Sequence, residues 1–135
     1  MSRPGPMPLT GSAPETVVQR QLDAYNAKDL TALLAIYADD AEIFEHPDQL
    51  LARGTAALRE RFTARFSEPN LHAALQRRIV LGAFVVDHEV ITRTFPEGPG
   101  TLEVVMIYEV AAGRIVRSWT LPGVKALADA GRPGR

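Results

Sequence analysis

The hydrophobic patterning of this chain predicts an α+β fold, with helices first and an antiparallel sheet after them. Up to residue 66 the apolar residues recur mainly at three- and four-residue steps, as they do on one face of a helix. From His72 onward the chain is rich in Val, Ile, Leu and Thr, in runs parted by short links of Gly, Pro and Ala. Links that short join antiparallel neighbours, because a parallel pair needs a crossover of about a dozen residues or more. Helical segments followed by consecutive strands are the α+β order.

The elements follow in sequence. Pro14 and Glu15 open the first helix, since proline suits the first turn and an acid there complements the exposed amides. Leu22 and Tyr25 lie on its apolar stripe, and it runs to about Asn26. Asp29 caps a second helix that carries Leu30, Leu33, Leu34 and Tyr37 and ends at about Tyr37. After Asp39-Asp40 the period drops to two, which marks a strand with Glu42, Phe44 and His46 on one side and Ile43 and Glu45 on the other. Pro47 ends it. Thr55 precedes a third helix with Leu58, Phe62 and Phe66 at four-residue spacing, stopped by Glu68-Pro69-Asn70.

The strand runs are His72 to Leu81, Ala83 to Phe95, Thr101 to Val110 and Arg114 to Leu121. Val86, His88 and Val90 share one face of their strand, opposite Val85, Asp87, Glu89 and Ile91. Val104, Met106 and Tyr108 share a face of the next strand. Arg117, Trp119 and Leu121 alternate away from Ser118 and Thr120. Apolar residues on both faces imply that both are covered, one by the helices and the other by a second subunit.

A length of 135 residues fits one domain with a single core. We expect a disordered tail at residues 1–13, the folded domain at 14–123 and a loose tail at 124–135. The charge is nearly balanced, with 15 Lys and Arg scattered among 16 Asp and Glu, whereas nucleic-acid binding calls for a positive stripe. No apolar run approaches the roughly 20 residues of a membrane span, and the start lacks the apolar segment of a secretory signal. The absence of cysteine removes disulfides, thiolate metal sites and thiol nucleophiles, and a cytoplasmic address is the default expectation. His46, His72 and His88 sit on different elements without metal-site spacing, so no metal is expected. There is neither a glycine-rich phosphate loop nor a Gly-x-Ser-x-Gly elbow.

Three helices, a strand ending in an acid-X-Pro step and a four-stranded meander resemble the nuclear transport factor 2-like superfamily from Glu15 to Gly123. Within it the chain is most similar to ketosteroid isomerase and the SnoaL-like polyketide cyclases. The match rests on Val17-Val18-Gln19-Arg20, Asn26-Ala27 with Asp29-Leu30, Ala38-Asp39-Asp40-Ala41, Glu45 with Pro47, and Gly54-Thr55-Ala56-Ala57. The resemblance implies a conical barrel of three N-terminal helices on a curved, mostly antiparallel sheet, enclosing an apolar pocket and often forming a homodimer. It implies no cofactor.

Ketosteroid isomerase uses an aspartate base, with a tyrosine and a protonated aspartic acid as oxyanion donors. The aligned positions here hold His46, Gln21 and Met106, so that mechanism does not transfer. His46 at the inherited base position is the first catalytic candidate, because an imidazole passes protons near neutral pH; the alternative is a hydrogen-bonded histidine at a strand end. His88 on the same interior would complete an acid and base pair, as in scytalone dehydratase, or be a satisfied core histidine. Gln21, Tyr25 and Tyr108 are candidate donors to a substrate oxygen, and Phe44, Phe62, Phe66, Val104 and Met106 candidate apolar walls. The expected function is cofactor-independent proton-transfer chemistry (isomerisation, dehydration or cyclisation) on a small apolar oxygenated molecule. The alternative is a ligand-binding or structural dimeric module. The expected dimer forms through the outer sheet face, which carries Trp119.

Overall fold

The computed structural model describes residues 13–128; of the tails expected at 1–13 and 124–135, residues 1–12 and 129–135 lie outside the described residues. Three helices, α1 (Pro14–Asn26), α2 (Leu30–Ile36) and α3 (Gly54–Phe66), accompany six strands. These are β1 (Tyr37–Glu45), β2 (Gln49–Arg53), β3 (His72–Leu81), β4 (Phe84–Phe95), β5 (Gly98–Ala111) and β6 (Arg114–Leu127). The strands form one curved, open sheet in the order β2-β1-β6-β5-β4-β3. Every neighbouring pair is antiparallel except β1 and β6. Among the described residues no helix is long and apolar enough to cross a membrane.

Local chemistry sets the helix that floors the interior. Proline starts α1, and its buried stripe is Val17, Val18, Gln21, Leu22, Ala24 and Tyr25. At its end the Asn26 carboxamide donates to the Ala73 carbonyl at 2.9 Å and accepts from the Ala73 amide at 2.8 Å, taking the place of a neighbouring strand against β3. Lys28 turns the chain with φ 55°, and the Asp29 side chain caps α2 by accepting from the Ala32 amide at 3.1 Å.

Three boundaries differ from the sequence reading. Tyr37 opens β1 instead of ending α2. Gln49–Arg53, given no element by the sequence reading, pairs with β1 as a short edge strand. The last strand runs past Gly123 to Leu127, so the boundary expected at residue 123 falls inside β6. That extension depends on Gly100, opposite Leu127: a Cβ there would collide with the Ala126 carbonyl oxygen.

Register decides which residues face the helices, because directly paired residues share a face. Val85, Asp87 and Glu89 pair with Tyr108, Met106 and Val104. Tyr108 and Met106 pair with Ser118 and Thr120, and those with Ile43 and Glu45 of β1. This whole set forms the concave face. His88, paired with Val105, falls on the convex face, as does Phe44, paired with Trp119. Both had been expected to point inward.

Candidate active site

Between the concave face and the helices lies a cavity of about 230 Å³. Helix α1 contributes Gln21 and Tyr25, α3 contributes Arg61, Phe62 and Arg65, and β1 contributes Tyr37, Ile43 and Glu45. From the meander come Glu89, Ile91 and Arg93 of β4 and Val104, Met106 and Tyr108 of β5. The walls thus mix apolar side chains and phenols with carboxyl groups on β1 and β4 and three arginines. Those two strands are three strand spacings apart, about 14 Å along a flat sheet and less across a curved one.

The buried acids of β4 have different fates. Asp87 has no exposed surface and is gripped by Arg78, which donates from Nε to Oδ1 at 2.7 Å and from Nη2 to Oδ2 at 2.9 Å. The same guanidinium reaches α1, donating from Nη1 to the Gln19 Oε1 at 2.9 Å. Glu89 is only 3 % exposed, and its Oε2 has no hydrogen-bond partner. Burial, with the neighbouring Asp87 charge behind it, raises the Glu89 pKa to about 8, against a smaller opposing pull from Arg78. At neutral pH the Glu89 carboxyl therefore keeps its proton and is a donor facing the cavity.

Phenols surround it. The Gln21 side chain donates from Nε2 to the Tyr37 hydroxyl and accepts from the Tyr108 hydroxyl, both at 3.3 Å. Tyr37 is thus an acceptor in that link and retains its own hydrogen to donate. Burial pushes the pKa values of Tyr25, Tyr37 and Tyr108 above the ordinary phenol value, so all three stay neutral through the physiological range.

Cations ring the mouth. Arg93 forks onto Glu68 at 2.8 and 2.7 Å, and Arg65 Nε lies 3.6 Å from the same carboxylate. Burial pushes the Glu68 pKa up, but Arg93 and the Thr94 amide outweigh it and hold the group below the usual value. Arg61, half-buried, is held below the usual arginine value by burial first and the charge of Arg65 second.

The structure brings Gln21, Tyr25, Phe62, Val104, Met106 and Tyr108 together on the cavity wall. It corrects the remaining candidates. His46 is exposed just beyond β1, where its backbone amide bonds to the Thr120 carbonyl at 2.8 Å and its side chain does not line the cavity. The β1 register turns Glu45 inward, and so puts its successor outside. His88 lies on the convex face with Nε2 2.6 Å from Glu103 Oε2. Phe44 stacks on Trp119 at a centroid distance of 5.8 Å, and Phe66 packs edge-on against Tyr25 at 5.7 Å, neither reaching the cavity. Neither histidine is part of the cavity lining.

Sequence reasoning passed over Glu89, Tyr37, Glu45 and the three arginines. A signal existed for Glu89: it shares its strand face with Val85 and Ile91, the company of a buried group. Among the described residues no group of three or more His, Cys, Asp or Glu is arranged to hold a metal ion.

An open α+β cone with three helices across the concave face of its sheet is the fold of the nuclear transport factor 2-like class. Within that class the chain belongs to the SnoaL-like domain family, whose model matches residues 18–118. None of the curated proteins matches it. Among solved structures it is similar to an uncharacterised cystatin-fold protein from Novosphingobium aromaticivorans, with 22 % identity and a TM-score of 0.75 over 82 % of this chain and 99 % of that one. It is similar also to wild-type IdmH from Streptomyces antibioticus, proposed to be a polyketide cyclase (22 % identity, TM-score 0.70, 82 % of this chain and 91 % of IdmH). A nuclear transport factor 2-like protein of unknown function from Mesorhizobium loti aligns with 20 % identity and a TM-score of 0.71, over 87 % of this chain and 98 % of that one.

Proposed function

We propose that this protein is a cofactor-independent enzyme of the isomerase or cyclase type, which moves a proton on an apolar oxygenated substrate held in the cone. The observation that carries the reading is Glu89: a carboxyl buried in the cavity wall, protonated at neutral pH and with one oxygen unpartnered. Such a group donates a hydrogen bond to a carbonyl oxygen as negative charge develops there, in a site dry enough for the bond to count. The Tyr37 hydroxyl, oriented by Gln21, is a second donor. Glu45 faces the same space from β1 and takes the proton from the carbon beside that carbonyl, giving an enolate that is reprotonated or attacks an electrophilic carbon. Acid and base on separate strands of the concave face are the division this chemistry needs.

The test does not require the natural substrate. Hydrogen–deuterium exchange of 2-tetralone, followed by NMR, reads enolisation directly. The wild type should accelerate exchange over buffer, and Glu89→Leu should lower that rate about a hundredfold, with Glu89→Gln in between because an amide still donates. The wild-type rate should fall as pH rises through about 8, where Glu89 loses its proton, and the Glu89→Gln rate should not. An unchanged rate in Glu89→Leu would overturn the assignment. Tight binding without accelerated exchange would favour the ligand-binding module instead.

We propose, too, that the convex face pairs with a second copy of the chain. Half-buried Trp119 and exposed Leu121 and Ile79 support this. A monomer by light scattering at micromolar concentration would refute it.

A further inference from the structure

The arginines at the cavity mouth are unequally paired. Arg93 and Arg65 share Glu68, whereas among the described residues no carboxylate lies within 4.0 Å of Arg61. The other acid at this end, Glu60, is exposed on the outer rim. Arg61 and Arg65 stand four residues apart on α3, where like charges repel, and Arg93 adds a third cation from β4. A half-buried cation in that company disfavours the empty site, and a bound anion relieves it. The apolar wall begins next to Arg61, with Phe62.

We infer that the molecule this cavity takes is an apolar carboxylic acid, its carboxylate seated at the mouth by Arg61 and its body against Phe62, Ile91, Val104 and Met106. A guanidinium matches a carboxylate with two parallel N–H donors, which gives orientation as well as attraction. A phosphate is the poorer fit, because phosphate sites lean on backbone amides of a glycine-rich loop, and the sequence has none. Anchoring the carboxylate at the mouth leaves the rest of the substrate to reach Glu89. The inference rests on reading this cavity as the substrate site, and not on whether Glu89 catalyses.

Calorimetry with 2-naphthoate and its uncharged counterpart 2-acetonaphthone tests it on the full chain. The wild type should bind the naphthoate about tenfold tighter. Arg61→Met should erase that preference while binding the ketone within about twofold of wild type, which also shows that the variant is folded. Arg61→Lys should keep part of the preference, since it restores the charge without the fork. No preference in the wild type, a preference that survives in Arg61→Met, or no binding of either probe would each overturn the inference. A naphthoate preference in a protein that does not accelerate ketone exchange would sink the enzyme reading and leave this one standing.

Discussion

The faces of β4 carry the same kinds of group to opposite ends. Inward, Asp87 and Glu89 are sealed from water, one gripped by a forked arginine and the other kept neutral by burial. Outward, His88 and Glu103 meet at 2.6 Å with side chains 39 % and 46 % exposed. The shorter contact is the outer one, yet the inner groups govern the molecule, because a charge is expensive to leave alone only where water cannot reach it.

The largest test of that contrast is Arg78→Met. Stripping the fork leaves the Asp87 charge buried without a partner, and urea unfolding near neutral pH should show a loss of about 3–5 kcal/mol. Adding Asp87→Leu to that variant should recover most of it. A loss under about 1 kcal/mol in the single variant would mean that the inner pair behaves like a surface one.

Glu89→Gln should act in the other direction, with a pH dependence. The folded pKa of about 8 lies above the unfolded value near 4.3, so the folded state keeps a proton that the unfolded chain releases. That contribution is complete below the unfolded pKa and is lost as pH rises through the folded one. The glutamine has nothing to ionise. Relative to wild type, its stability should therefore improve between pH 5 and pH 9, on the order of 3 kcal/mol. A constant difference over that range would show that Glu89 is not held protonated. Gaining stability while losing ketone exchange is the trade that the proposed role of Glu89 predicts.

On the outer face His88→Gln should change stability by less than about 1 kcal/mol and leave ketone exchange unaltered. His46→Gln, at an exposed position, should change neither stability nor exchange measurably. A concentration-dependent loss in His88→Gln would instead show that a second copy covers the pair.

These faces also mark how far the sequence could be read. The limits of α1, the Asp29 cap, the run His72–Leu81 and the antiparallel meander were legible, because each is written in a local period or a local hydrogen bond. The alternation of each strand was legible too: Val104, Met106 and Tyr108 do share a face, and Asp87 and Glu89 do share one. What a single strand does not state is its phase against its neighbour. A one-residue difference in register exchanges the faces, and the apolar residues on both sides of β4 and β5 left no polar edge to fix it. The same ambiguity put His46 and Phe44 inside and Glu45 outside. Gln49–Arg53 escaped notice because a five-residue edge strand with Gln and Arg at its ends has little periodicity to offer.

The Asn26 carboxamide, bonded both ways to Ala73, has an evolutionary corollary. With the end of α1 latched to β3 by one side chain, residues lining the hollow are free to vary without that helix drifting. Wall side chains can then be exchanged on their own, while the architecture around them stays put.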